Sequence, residues 1–258
     1  MTSRFTGRTA LVTGAGSGIG RAVALAFAAE GANVVVAGRR PEPLEETVAL
    51  IEHAGGDHGK AMTFPADVSS AVDATVLVQA AVDTFGSLDV AVNNAGVLRG
   101  GGTSLADLPE ADWQAQLDIN VTGVFHALQA QIRQMRTQPG GGSIVNIASQ
   151  LGMHARRPGT AAYATTKAAV TALSRAAALD HAGEGVRINV VSPGPTATSM
   201  SLRGGETEAE RAERVRHDLP LGRVSATEEI AAAVLYLASE DAASVVGADL
   251  VVDSGAAL

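Results

Sequence analysis

Apolar runs rich in β-branched residues alternate along the chain with longer alanine-rich stretches. "TALVTG" is followed by "RAVALAFAAEG", "NVVVAG" by "PLEETVALIEHAGG", and "AMTFPADV" by "AVDATVLVQAAVDTFG". The alternation continues through "LDVAVNNAG", "WQAQLDINVTGVFHALQAQIRQMR", "GSIVNIAS", "YATTKAAVTALSRAAALDHAG", "VRINVVSPG", "TEEIAAAVLYLAS" and "ADLVVDSG". The period switches between that of a strand and that of a helix. Runs that are apolar throughout must be covered on both faces, and strand-helix-strand connections of this length make parallel neighbours. The pattern therefore predicts an α/β fold: a single doubly wound Rossmann sheet of about seven parallel strands, with helices on both faces.

One segment breaks the rhythm. Residues 196–225, "TATSMSLRGGETEAERAERVRHDLPLGRVS", are polar, charged and long for a connection in such a sheet. They read as a substrate lid carrying a short helix, the alternative being a solvated surface excursion. With 258 residues and no linker-like stretch, the whole chain, 1–258, is expected to form one domain.

Composition narrows the chemistry. There is no cysteine, which excludes disulfides and thiolate chemistry. The six histidines (His53, His58, His126, His154, His181 and His217) show no metal-ligand spacing, so no metal is expected. A formal charge of −8 disfavours nucleic acid and anionic membranes, both bound mainly through clustered cations, and leaves small molecules as the expected ligands. The start of the chain runs straight into an apparent strand without a signal-peptide core, and no apolar run is long enough to span a bilayer. A soluble, cytoplasmic protein is expected.

"TGAGSGIG", residues 13–20, lies where the first strand gives way to the first helix. Glycines there permit a tight turn and close approach of backbone to a pyrophosphate, while the helix N-terminus offers free N–H groups and a positive dipole end. The spacing Gly14, Gly18, Gly20 differs from G-x-G-x-x-G. Further along stand "NNAG" (Asn93 to Gly96), "DINVTG" with Asn120, "IVNIAS" ending in Ser149, the pair Tyr163 and Lys167 in "YATTK", and "SPGPTAT" with Pro193, Gly194, Thr196 and Thr198. In these motifs, taken in order over essentially its full length, the chain resembles the short-chain dehydrogenases/reductases.

Residues four apart on a helix share a face, so Tyr163 and Lys167 can point into one pocket. A solvated Tyr and Lys on a helix surface would have the same spacing, but this chain has only two lysines among its 19 Lys and Arg. Carbonyl reduction needs a proton delivered to oxygen, and a phenol of pKa about 10 needs help to act near neutrality. A nearby ammonium would favour the phenolate. The resemblance implies that Tyr163 is the acid/base, and that Lys167 lowers its pKa and holds the nicotinamide ribose. It further implies that Ser149 bonds the reacting oxygen and that Asn120 anchors a relay water. Ser149 stands fourteen residues before Tyr163, one more than the family's usual spacing, which is read as an extension in "QLGMHARRPGTAA"; the position one nearer is Gln150.

The cofactor residues implied are Gly14, Ser17, Gly18, Ile19 and Gly20 in the turn, Arg39, Asp67 and Val68 towards the adenosine, and Asn94 and Gly96. Tyr163, Lys167, Pro193, Gly194, Thr196 and Thr198 complete the set. Asp67 could equally cap the helix starting near Ser69. An NAD-specific site of this kind carries a carboxylate at the end of the second strand, whereas "VVVAGRR" has Gly38 there, then Arg39 with a guanidinium suited to phosphate. NADP is the expected cofactor, with NAD the alternative. The expected function is reduction of a ketone to a secondary alcohol or the reverse, and a 3-oxoacyl thioester reductase is one form of it; a noncatalytic dinucleotide sensor or scaffold is the second reading. Leu98, Gln150, Leu151, His154 and Arg156 could line the substrate pocket, Arg156 and Arg157 otherwise facing solvent. The resemblance also implies a homotetramer.

Overall fold

The computed structural model describes residues 3–54 and 59–258, so His58 lies outside it. The sheet has seven strands: β1 (Thr9–Thr13), β2 (Asn33–Gly38), β3 (Ala61–Pro65), β4 (Val90–Asn93), β5 (Gly142–Ile147), β6 (Val186–Pro193) and β7 (Asp249–Val252). All neighbours are parallel, in the order β3-β2-β1-β4-β5-β6-β7. The helices are α1 (Gly18–Ala29), α2 (Pro41–His53), α3 (Ala71–Phe85), α4 (Glu110–Leu117), α5 (Gly123–Met135), a single turn α6 (Gln150–Met153), α7 (Ala161–His181), α8 (Glu208–Asp218) and α9 (Thr227–Ala238).

Two cores follow from the period-two alternation of strand side chains. Val12, Val34 and Val36 point to one face and meet Phe27 of α1, Leu44 and Ile51 of α2 and Ile230 of α9. Leu11, Val35 and Ala37 point to the other and meet Leu77 of α3, Leu128 and Ile132 of α5 and Val170 of α7. In α1 the buried residues are Gly20, Val23, Ala24, Phe27 and Ala28, a single stripe at helical spacing. The strand order reverses between β1 and β4, which opens a crevice at the carboxyl ends of these strands, where open α/β sheets bind ligands.

The structure differs from the sequence reading in two local features. The stretch from Trp113 to Arg136 is not one helix: a π turn, Asp118–Thr122, separates α4 from α5, and Gly123 N donates to Asp118 O. The extra residue turns Asn120 inward, a device common at functional sites. Asp67 does not cap α3. Ser70 does, its side chain accepting from Asp73 N, while Asp67 accepts from Ser69 N (3.0 Å) and Ser69 Oγ (2.7 Å).

Residues 196–225 do carry a helix, α8, preceded by a short turn at Ser199–Ser201. The two ends of the segment are tied: Thr196 bridges Ser225, Ala197 N donates to Ser225 O (2.9 Å) and Ser225 N to Pro195 O (2.9 Å). No helix among the described residues is long and apolar enough to cross a membrane.

Candidate active site

The glycine turn is shaped by what its glycines exclude. Gly14 and Gly18 have φ of +65° and +53°, in the left-handed region. A Cβ on Gly14 would come 2.8 Å from Asn94 Nδ2, and one on Gly20 would press into the Gly14 carbonyl. Asn94 locks the turn to the end of β4, its Nδ2 donating to Thr13 O (3.0 Å) and Gly14 O (3.3 Å). Thr13 Oγ1 accepts from Asn94 N (3.0 Å) and Ala95 N (3.2 Å). Ser17 begins α1 without capping it through its side chain, and Ile19 packs into the core below. This cradle, with backbone held close and an uncapped helix N-terminus, fits the pyrophosphate of a dinucleotide.

Around the cradle stand the other expected cofactor residues. Thr198 lies over Gly18, with its Cγ2 3.1 Å from where a Cβ would be. Gly194 at the end of β6 has no room for a side chain against Asp253, and its N donates to Val252 O (3.0 Å). Pro193 pairs with Val252 in the sheet, and Thr196 Oγ1 donates to Gly194 O (2.9 Å). Arg39 is exposed, just beyond the end of β2. Its charge reaches Asp67: the Ser69 hydrogen bonds hold that carboxyl below its ordinary pKa, and Arg39 adds to the effect. Val68 packs against the start of α5, its Cγ2 3.0 Å from the space a Gly123 side chain would take.

Tyr163 lies in the first turn of α7, half-buried, with the Ser149 hydroxyl as its side-chain partner. Burial pushes the phenol up to about 12, and the Ser149 hydrogen bond only partly offsets this. Lys167 is buried one turn on; its Nζ is 5.8 Å from the centre of the Tyr163 ring and donates to Ile147 O (2.8 Å). Burial pulls the lysine down to about 8. In the protein alone the phenol therefore moves opposite to the direction expected from an adjacent ammonium, because desolvation outweighs the Ser149 hydrogen bond. Ser149 holds the position at the tyrosine despite the longer spacing.

Asn120 is fully buried and its side chain is engaged on three sides. Nδ2 donates to Val97 O (2.9 Å) and Thr166 Oγ1 (3.1 Å), and Oδ1 accepts from Val97 N (2.8 Å). Thr166 Oγ1 in turn donates to Tyr163 O (2.8 Å), so the π turn is wired to the helix that carries the tyrosine. Gly96 sits between the two: a Cβ there would come 3.3 Å from Asn120 Oδ1 and 3.4 Å from Lys167 Nζ. Sequence reasoning missed Thr166, although a hydroxyl between Tyr163 and Lys167 was a visible signal. It also missed the buried ladder in which Asn93 Nδ2 donates to Gln131 Oε1 (2.9 Å) and Asn146 Oδ1 (2.8 Å), and Asn146 Nδ2 to Ser174 Oγ (2.7 Å). Asn93 and Asn146 are register partners on β4 and β5, buried polar residues in largely apolar strands.

Of the expected pocket residues, Leu98 joins Leu105, Leu108, Arg99, Thr103 and Tyr163 around a recess of mixed polar and apolar lining. Arg156 and Arg157 are exposed, and Gln150 is buried beside Ser149.

A family model described as enoyl-(acyl carrier protein) reductase matches residues 14–257. A short chain dehydrogenase/reductase of Aspergillus oryzae is 39% identical over 98% of this chain and 95% of its own length. Among solved structures, NAD+-bound xylitol dehydrogenase superposes with a TM-score of 0.88 at 34% identity, covering 98% of this chain and 100% of that one. A short chain dehydrogenase from Burkholderia cenocepacia in complex with NADP superposes with a TM-score of 0.87 at 34% identity, covering 98% and 99%. The chain belongs to the short-chain dehydrogenase/reductase family. It is an oxidoreductase dependent on a nicotinamide dinucleotide.

Proposed function

We propose that the protein interconverts a ketone and a secondary alcohol, using NADP(H), with Tyr163 as the acid/base. The observation that carries this reading is the grouping of the Tyr163 phenol, the Ser149 hydroxyl and the Lys167 ammonium at the carboxyl edge of the sheet, next to the glycine cradle. A bound nicotinamide supplies hydride to the carbonyl carbon or accepts it from the alcohol carbon. Ser149 Oγ donates a hydrogen bond to the reacting oxygen. Tyr163 Oη gives that oxygen its proton during reduction and takes it back during oxidation. Burial raises the phenol to about 12 in the protein alone, so it carries the proton that reduction requires.

Lys167 holds the ribose hydroxyls through Nζ and stabilises the phenolate left after proton transfer. Its value of about 8 keeps it mainly charged at neutral pH. Asn120 spends its side chain on Val97 and Thr166, so a relay water falls to its main-chain carbonyl. The recess beside Tyr163, where Leu98, Leu105 and Leu108 stand among polar groups, can take a small ketone, and a 3-oxoacyl thioester is one candidate. The site keeps every group this chemistry needs, which a noncatalytic sensor would not require. A cytoplasmic homotetramer built on α7 and β7 belongs to the same reading; it is supported by Leu179 of α7, 83% exposed, and by the edge position of β7.

NADP(H) is favoured because Gly38 carries no carboxylate and the exposed Arg39 follows it. The test compares kcat/KM for NADPH and NADH in the wild type and in Arg39→Ala, with a panel of ketones. Wild type should prefer NADPH at least about tenfold, about 1.4 kcal/mol, and the variant should lose most of that preference. Equal or better use of NADH by the wild type would contradict the assignment.

A further inference from the structure

In the glycine cradle four consecutive carbonyls are each held by a side chain. Thr13 O and Gly14 O go to Asn94. Ala15 O accepts from Thr47 Oγ1 of α2 (3.0 Å), and Gly16 O accepts from Arg21 Nη2 of α1 (2.5 Å). Thr47 is fully buried; Arg21 Nε donates to its hydroxyl (3.0 Å), and Arg21 Nη2 also reaches Glu46 Oε2 (2.9 Å). A threonine within a helix commonly bonds the carbonyl four residues back, which here is Pro43 O at 3.0 Å. Arg21 Nη2 serves that carbonyl as well (3.3 Å), which frees the single Thr47 hydroxyl proton for Ala15 O. Pro43 also packs against Gly16, where a Cβ would come 2.8 Å from the Pro43 Cβ.

Stability alone does not account for this arrangement. Arg21 is a cation at the fourth position of α1, near the end where the helix dipole favours anions. Arg187 shows the ordinary placement: it donates to the Leu237, Ala238, Ser239 and Ala242 carbonyls around the carboxyl end of α9, where the dipole favours a cation. Arg21 and Thr47 instead spend their bonds on two neighbouring peptide units, Ala15–Gly16 and Gly16–Ser17. A peptide unit is planar and trans, so its C=O and N–H point opposite ways. Fixing the Ala15 and Gly16 carbonyls therefore fixes the directions of the Gly16 and Ser17 N–H groups. Neither N–H donates to any group among the described residues.

We infer that Arg21 and Thr47 are positioning residues for the dinucleotide: by holding the Gly16 and Ala15 carbonyls they aim the Ser17 and Gly16 N–H groups at its pyrophosphate. This role rests on the cradle described above and goes beyond the choice between NADP and NAD, because both carry the pyrophosphate. Gly16 needs the hold most. No side chain restricts its rotation, and Pro43 leaves no room for one. If either peptide unit turned over, it would present a carbonyl oxygen to the phosphates in place of an N–H. Hydrogen bonds to an ionised acceptor are roughly twice as strong as neutral ones, so misdirecting two of them weakens binding steeply. The charge of Arg21 is not the agent, since Glu46 stands against it at 2.9 Å.

The test measures Kd for NADPH and for NADH by fluorescence titration, with melting temperatures alongside, in the wild type and in Arg21→Met, Thr47→Val, Thr47→Ser and Glu46→Gln. Arg21→Met and Thr47→Val should each raise both Kd values about tenfold or more, by the same factor for the two dinucleotides. Thr47→Ser keeps the hydroxyl, so its Kd values should stay within about threefold of wild type even though the lost buried methyl lowers its melting temperature. Glu46→Gln should likewise stay within about threefold, because the bonds to the carbonyls remain. A packing role at residue 47 predicts the reverse order, valine harmless and serine harmful, and that order would overturn the inference. So would unchanged Kd values in a folded Arg21→Met, or a rise in Glu46→Gln equal to that in Arg21→Met. Failure of the wild type to bind either dinucleotide would overturn the cradle assignment on which the role rests.

Discussion

Lys167 is a buried cation whose ammonium donates to the Ile147 carbonyl, and that environment sets its cost to folding. Its proton is held less tightly in the folded chain, at about 8, than at the ordinary 10.5. Between these values the unfolded chain binds more protons, so the penalty is fully present below pH 8 and is relieved as pH rises towards 10. Tyr163 is raised by burial, from 10.0 to about 12, and so works against the fold only above pH 10. Urea unfolding of the ligand-free protein should therefore show the wild type gaining about 2 kcal/mol relative to Lys167→Met between pH 7.5 and 10. A constant difference across that range would mean that the lysine is not desolvated.

At the scale of elements, the segment from Thr196 to Ser225 is tied at its base and pinned from within. Arg211 of α8 is buried, and its Nη1 donates to Thr198 O (3.2 Å) and Ser201 Oγ (2.9 Å). Arg214 reaches Glu206 through Nε (2.6 Å) and Ser201 O through Nη2 (3.3 Å). Thr207 and Glu210 close α8 with a reciprocal capping box. Because Thr198 lies over Gly18, the arginines couple α8 to the phosphate cradle. Bonds from a charged donor are worth about 1.5–3 kcal/mol each. Arg211→Met should accelerate amide hydrogen exchange roughly tenfold or more across residues 199–218, with the sheet unaffected. Exchange unchanged in that segment would show that its order does not depend on Arg211.

At the scale of the whole molecule, the fold was legible because each strand is apolar on both faces and each long helix carries a stripe, so period and length gave the parallel sheet. The glycine turn was legible at the end of the first strand, whereas the roles of Tyr163, Lys167 and Ser149 were legible through the family resemblance. Less legible were features set by contacts between distant segments. The π turn at Asn120 depends on the Val97 backbone, twenty-three residues earlier, and the capping of α3 depends on whether Asp67 or Ser70 meets the first free N–H. The direction of the Tyr163 shift depends on burial that no local spacing encodes. The central claim, that the Tyr163 hydroxyl moves the proton in a dinucleotide-dependent reaction, is tested most directly in Tyr163→Phe by measuring turnover alongside the Kd for NADPH. Turnover should fall by a factor on the order of 10²–10⁴, while the Kd stays within about threefold because only one oxygen has been removed. Turnover close to wild type with an unchanged Kd would contradict the account.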